Sequence, residues 1–531
     1  MSTLYVGRRM RTMTSDGPAR PTGVLVDGGR VTAVGDAQAL RREHDPAVVD
    51  FGGGVITPGL VDGHSHPVHG LALTAGTNLT EATDLDAVRA ALSTAREALE
   101  PGEWLRGWGL NPVVFDGREP SAAALGPALA RVPAYVSMYD GHSAIASPDA
   151  LRAAGIDGPR EFRSSARIAC DRDGVPTGYL LEEEASSVVE AVIPTPPVAN
   201  LANGLYALLQ DMAATGLTGL HAMDFADPSA EVVRELERTR ELPLRLGFNP
   251  ILMPTDETAD RVLEWQGQHG RRWRVEGVKM FVDGTIDGGT AWLERADAYG
   301  EGTESLWTEF GRFRDLVTRL HLAGANVAVH SIGDRGVREV LELFTELRDK
   351  HGPLATHRIE HIETIPDDVV RMFGSGGAVA SMHPLHLTRF NTDDRSDSWS
   401  RRLGDARVEH GFPWAAIRAA GGPVALGSDW PIAPYDPRWI MADARLRRRF
   451  DRPERTPMQP ELALDAEQVL EGFTTHAALA SGEAEHRGRI APGYDADFTV
   501  FADDPVAVDA ETLGTLPILA TVVAGEVIHA R

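Results

Sequence analysis

Hydrophobic and polar positions along the chain fall into two textures, and each predicts a different architecture. Toward the start, short apolar runs alternate around turn signals. "GVLVDGGRVTAVG" (Gly23–Gly35) sets two such runs on either side of Asp27-Gly28-Gly29, the pattern of a β-hairpin. The far end reads the same way: "DADFTVFADDP" and "ILATVVAGEVIHA" carry β-branched alternation around Gly525. Strand-rich ends around a different middle predict one small β-sandwich domain, built from residues 1–58 and 485–531.

The middle repeats a unit. "LYALLQDMAATGLTGLHAMD" (Leu205–Asp224) runs from a helical pattern through a glycine break into a short apolar strand. "FRDLVTRLHLAGANVAVHSIGD" (Phe313–Asp334) repeats it, with Phe313, Leu316, Val317 and Leu320 at helical spacing. "WAAIRAAGGPVALGSDW" (Trp414–Trp430) repeats it again. Helices alternating with near-continuous apolar strands predict a parallel β/α architecture. Over residues 59–484 a (β/α)8 TIM-like barrel fits, with an insertion at about 70–200 after the first barrel strand.

Each apolar strand ends in a polar residue. His64 and His66 follow "GLVDG", His221 follows "LTGL", Lys279 follows "EGV", His330 follows "VAV", His361 follows "HRIE" and Asp429 follows "ALGS". In a parallel barrel the C-terminal strand ends carry the chemistry. Side chains at i and i+2 of a strand share a face, so His64 and His66 present two imidazoles together. With two later histidines and a late aspartate, they make a nitrogen-and-oxygen donor set suited to zinc or a similar divalent cation.

Composition narrows the partners. Lys and Arg number 52 against 77 Asp and Glu, a net charge of -25, which argues against nucleic acid and against anionic membrane surfaces. The single cysteine, Cys170, leaves no intrachain disulfide and suits a reducing compartment. "MSTLYVGRRMRTMTSDG" lacks the apolar core of a signal peptide, and no run approaches the roughly 18 apolar residues of a membrane span. A cytoplasmic protein with a small-molecule partner is expected.

Several motifs together resemble one family. "ITPGLVDGHSHP" resembles the first-strand signature of the amidohydrolase superfamily. "GVKMFVDGTIDGGTAWL", "VAVHSIGDRGV", "HRIEHIE" and "GSDWPIAPYDP" resemble its family-3 branch, the YtcJ-like and N-substituted formamide deformylase-like hydrolases. "GRIAPGYDADFTVFADDP" resembles that branch's return to the small β-domain, so the resemblance extends over nearly the whole chain.

The resemblance implies a hydrolase that uses metal-activated water to cleave a C–N bond of an amide or N-acyl or N-formyl small molecule. An ester, lactone or carbamate is open to the same site. An inactive scaffold would have lost ligands that this chain keeps. It makes His64, His66, His330 and His361 metal ligands and Asp429 both a ligand and the acceptor of the water's proton. Lys279 falls where relatives place a lysine that can be carboxylated to bridge two metals, so one or two zinc ions are implied. His142 in "MYDGHSAIAS" and Glu182 in "GVPTGYLLEEEA" match insertion motifs and become substrate-binding candidates. His383 in "SMHPLHL" stands where Gln is expected, and Trp430 directly follows the catalytic aspartate; both join that group. Superfamily members often dimerise, which extends to a homodimer here.

Overall fold

A computed structural model describes residues 2–15, 20–139, 143–162, 166–256 and 258–531, without the side chains of Glu183 and Asp227. His142 therefore lies outside the described residues. The chain divides into two compact units, residues 1–67 with 202–531, and residues 68–201.

In the first unit, strands from both chain ends pair with one another. Thr3–Val6 lies between Gly23–Asp27, antiparallel, and Ala47–Asp50, parallel. Val55–Pro58 pairs antiparallel with Phe498–Phe501, which continues to Ile518–Val523 and Glu526–Ala530. The hairpins turn through Gly28 and Gly29 (φ 56° and 76°) and through Ala524 and Gly525 (φ 54° and 73°). Positive φ at both central residues is what a type I′ turn requires, and its twist matches that of the flanking strands. One apolar cluster, including Tyr5, Val24, Ile56, Phe498, Val500 and Val522, draws on both termini.

The same unit holds a succession of parallel strands: β1 (Leu60–Ser65), β2 (Leu217–Ala222), β3 (Arg245–Phe248), β4 (Gly277–Phe281), β5 (Asn326–Ser331), β6 (Arg358–His361), β7 (Val379–Met382) and β8 (Val424–Leu426). Pairing follows chain order: β1 with β2, β2 with β3, β4 with β5, β5 with β6, β6 with β7 and β7 with β8. Past β3 the chain resumes at Ile251–Leu252 and pairs with β4 through Ile251 and Lys279. A parallel bridge joins Ser65, ending β1, to Trp430, four residues past β8. Gly63 is required there, because a Cβ would come within 2.8 Å of the Leu426 carbonyl.

Helices fill the intervals as the spacing predicts. Phe310–Leu322 buries Phe313, Leu316, Val317 and Leu320, and Asp334–His351 buries Val337, Val340, Leu341 and Phe344. Their apolar stripes cover strands buried on both faces, the arrangement that parallel sheets need.

The second unit is a mixed sheet in the order Arg167–Cys170, Pro176–Leu181, Ala144–Ala146, Ala134–Met138, Leu105–Leu110, Thr77–Asn78. Helix Leu85–Glu97 buries Val88 and Leu92 in that unit's own core. No helix among the described residues is long and apolar enough to cross a membrane.

Candidate metal centre

His64 is fully buried at the end of β1, with His66 just beyond it. Their Nε2 atoms stand 3.3 Å apart, so the two imidazoles do lie together. Asp429 Oδ1 completes a triangle, 3.3 Å from His64 Nε2 and 3.1 Å from His66 Nε2. Donors on a tetrahedral zinc, each about 2.0–2.1 Å from the ion, stand roughly 3.3–3.4 Å from one another. The triangle has the dimensions such an ion needs.

Backbone conformation aims the remaining donors. Alternation along β6 puts Arg358 and Glu360 on one face and would send His361 to the other. His361 instead has φ 75°, in the left-handed region that non-glycine residues seldom occupy. Its ring centroid lies 5.2 Å from that of His64 and 4.6 Å from that of His383. Asp429 is also left-handed (φ 59°), and its N–H donates to the His64 carbonyl at 2.8 Å. Residues held in such conformations cluster at functional sites, where the surroundings over-determine them.

Among the described residues three donor groups result, each with ligand atoms within 4.8 Å of one another: His64, His66 and Asp429; His64, His361 and His383; and His361, His386 and Asp429. Among the described residues, His66 Nδ1, His361 Nδ1, His383 Nε2 and His386 Nε2 are buried without a hydrogen-bond partner. At His383 the other ring nitrogen, Nδ1, donates to the Gly427 carbonyl at 3.3 Å, which leaves a lone pair on the unpartnered Nε2. His386 Nε2 lies 3.5 Å from Asp429 Oδ2, and a buried nitrogen without a partner beside a carboxylate suits a cation, which would supply that partner.

Electrostatics keep the set in its coordinating form. Burial, reinforced by neighbouring cationic side chains, holds His64, His361 and His383 well below the ordinary histidine pKa, and burial lowers His386 as well. All four are thus neutral imidazoles at pH 7. Burial alone would raise the Asp429 pKa, but the hydrogen bond with His66 outweighs it and holds the carboxyl below its ordinary range. Lys279 is buried, and desolvation brings its pKa down to about 8 against the opposing pull of Glu360 and Asp429.

Other residues named from sequence fall around this cluster or away from it. His330 Nε2 lies 3.0 Å from the Gly284 carbonyl and its ring 4.2 Å from that of His361, outside the three donor groups. Lys279 Nζ lies 5.0 Å from the centre of the Phe281 ring. Trp430 is buried, with its ring 6.3 Å from that of Tyr435. Glu182 is an exposed residue of the 68–201 unit, at φ 66°. His386 escaped the sequence reading. The signal was present in "HPLH": it lies three positions after His383 across the start of helix Pro384–Phe390, spacing that puts both on one side. Their ring centroids are 5.1 Å apart.

Comparison with known proteins supplies the family. The profile of the amidohydrolase family matches residues 47–529, and that of a bacterial imidazolonepropionase-like composite domain matches residues 23–47. The chain is 26% identical to YtcJ of Bacillus subtilis (strain 168), with all of both chains covered. It is 26% identical to the N-substituted formamide deformylase of Arthrobacter pascens, covering 96% of this chain and 95% of that one. Its fold resembles the crystal structure of an uncharacterized metal-dependent hydrolase from Pyrococcus horikoshii OT3, with a TM-score of 0.76 at 20% identity over 96% of this chain and 99% of the other. Over nine-tenths of its length, this chain belongs to the amidohydrolase family.

Proposed function

We propose that this amidohydrolase binds one or two divalent cations, zinc foremost, and hydrolyses a C–N bond in an amide, N-acyl or N-formyl small molecule. The observation that carries the reading is the convergence of His64, His66, His361, His383, His386 and Asp429, with donor spacings near those of a zinc shell. Relatedness to an N-substituted formamide deformylase supports the choice of bond. We further propose that β1 to β8 close into a (β/α)8 barrel, a reading favoured by the chain-order pairing and the Ser65–Trp430 bridge. The donors then lie at the C-terminal strand ends, where barrel enzymes build their sites. In this reading the end strands, residues 1–58 and 485–531, form a separate β-sandwich domain. One cysteine, Cys170, suits a cytoplasmic setting.

His64, His66 and Asp429 would hold one ion, and His361, His386 and Asp429, with His383 beside them, offer donors for a second. A divalent cation bound there polarises a carbonyl and brings the pKa of water toward about 7. Asp429, kept ionised, takes a proton from the attacking water and returns it to the departing nitrogen. Neutral His64, His361 and His383 keep competing positive charge out of the site. Lys279, with a pKa near 8, has an appreciable uncharged fraction at neutral pH; carboxylated by CO2, it would add an anionic oxygen to the same cluster. Trp430, His142 and Glu182 stay as proposed substrate contacts.

Turnover of a matched substrate panel by the metal-loaded enzyme tests the choice of bond. Amine release from an N-formyl or N-acyl amine is expected, with kcat/KM of about 10⁴ M⁻¹s⁻¹ or more for the best substrate. Hydrolysis of esters or lactones alone would overturn it.

A further inference from the structure

Beneath the donor cluster lies a buried charge pair that the chemistry above leaves unused. Arg358 and Glu360 share one face of β6, and their side chains are 4% and 0% exposed. Glu360 is placed between two donors. Its Oε2 lies 2.7 Å from His64 Nδ1, while its Oε1 accepts from Arg358 Nε at 2.5 Å. Arg358 is itself fixed: one Nη donates to His221 Nδ1 at 2.7 Å and the other to the Gly63 carbonyl, one residue before His64, at 2.6 Å.

We propose that Glu360 is a positioning residue for His64, fixing the tautomer that leaves Nε2 free for a metal, and that Arg358 holds Glu360 in place for this task. An imidazole that donates from Nδ1 carries its lone pair on Nε2, and here Nε2 is the atom facing His66 and Asp429. Only a carboxylate serves both neighbours, because it accepts at each oxygen and donates at neither. Arg358 sets its guanidinium against the Glu360 carboxylate as a buried counter-charge. It also ties the carboxylate to the backbone of the strand carrying His64. A carboxylate on the far nitrogen of a ligating imidazole raises ligand basicity and fixes ring orientation; removing such a partner costs about 10–100-fold in metal affinity.

This proposal rests on the metal-centre reading, and its test separates the two. Zinc is stripped from the full-length protein and titrated back in competition with a chromogenic chelator, while the apo protein's melting temperature is measured in parallel. In Glu360→Gln, one oxygen and one amide face two donors, so Arg358 and His64 compete for a single acceptor. A loss of about 10–100-fold in zinc affinity is expected. In the double variant Arg358→Met/Glu360→Gln, the glutamine oxygen is free to turn to His64, and most of that affinity should return although the apo protein melts no higher. A purely structural ion pair would give the opposite pattern, with affinity following stability in both variants. Should Glu360→Gln fail to fold, Glu360→Asp carries the test: it keeps the charge but withdraws the acceptor from His64, and weaker zinc binding is again expected. Wild-type affinity in these single variants, with the wild type itself loading fully, overturns the positioning role alone. A wild type that takes up neither zinc nor another divalent metal overturns the metal-centre reading, and this proposal with it.

Discussion

His64→Ala is expected to remove metal binding and amide hydrolysis together while leaving the fold in place. His64 belongs to two of the three donor groups, so its loss disrupts the triangle with His66 and Asp429 and also the contact with His361 and His383. Zinc affinity should fall by more than the roughly 100-fold upper range for losing an outer-shell partner. Turnover should fall to background at ordinary zinc concentrations. The fold should tolerate the change, because Glu360 keeps its ion pair with Arg358 and is not left as an unpaired buried charge. Equilibrium dialysis with zinc gives the affinity, and circular dichroism with a melting curve gives the fold. Full activity of His64→Ala in chelator-treated buffer would show that catalysis does not depend on this centre.

Asp429→Asn should separate chemistry from binding. Asparagine keeps the size and the left-handed backbone position but cannot take a proton from water at neutral pH. General-base contributions run at about 10²–10⁴-fold, so kcat should fall by that order with the best N-acyl substrate. Asp429 also belongs to two donor groups, and zinc affinity should weaken too. The comparison is therefore made at saturating zinc, where the ligand defect is masked and the proton-transfer defect remains. KM should change little, since removing an interaction made in the transition state lowers kcat and kcat/KM equally. An Asp429→Asn enzyme with wild-type kcat at saturating zinc would assign proton transfer to another group.

The features legible in the sequence are those whose physics is local. Helical spacing at Phe313, Leu316, Val317 and Leu320 announces a buried stripe, and the structure buries all four. Two histidines at i and i+2 are expected together from the alternation of a strand, and their Nε2 atoms lie 3.3 Å apart. His361 and Asp429 were legible as strand-end residues, but their aim depends on left-handed backbone at φ 75° and 59°, which no spacing rule supplies. His386 was missed because it joins the cluster from a helix rather than a strand end, and its nearest carboxylate, Asp429 at 3.5 Å, is 43 positions away in sequence. The same limit applies to Glu360. The motif "HRIEH" contains it, but its bond to His64 spans 296 positions and exists only because β1 and β6 meet in three dimensions. Conversely, His330 ends its strand as read, yet the Gly284 carbonyl engages its Nε2.

Metal content tests the central claim most directly. The protein is purified without chelator or histidine tag, and divalent metal per chain is measured by inductively coupled plasma mass spectrometry. At least one equivalent of zinc or another divalent metal is expected. Two would favour a carboxylated Lys279 and a paired centre, and one a mononuclear site on His64, His66 and Asp429. A chain that stays metal-free after reconstitution with zinc and bicarbonate would contradict the assignment of this histidine and aspartate cluster as a catalytic metal centre.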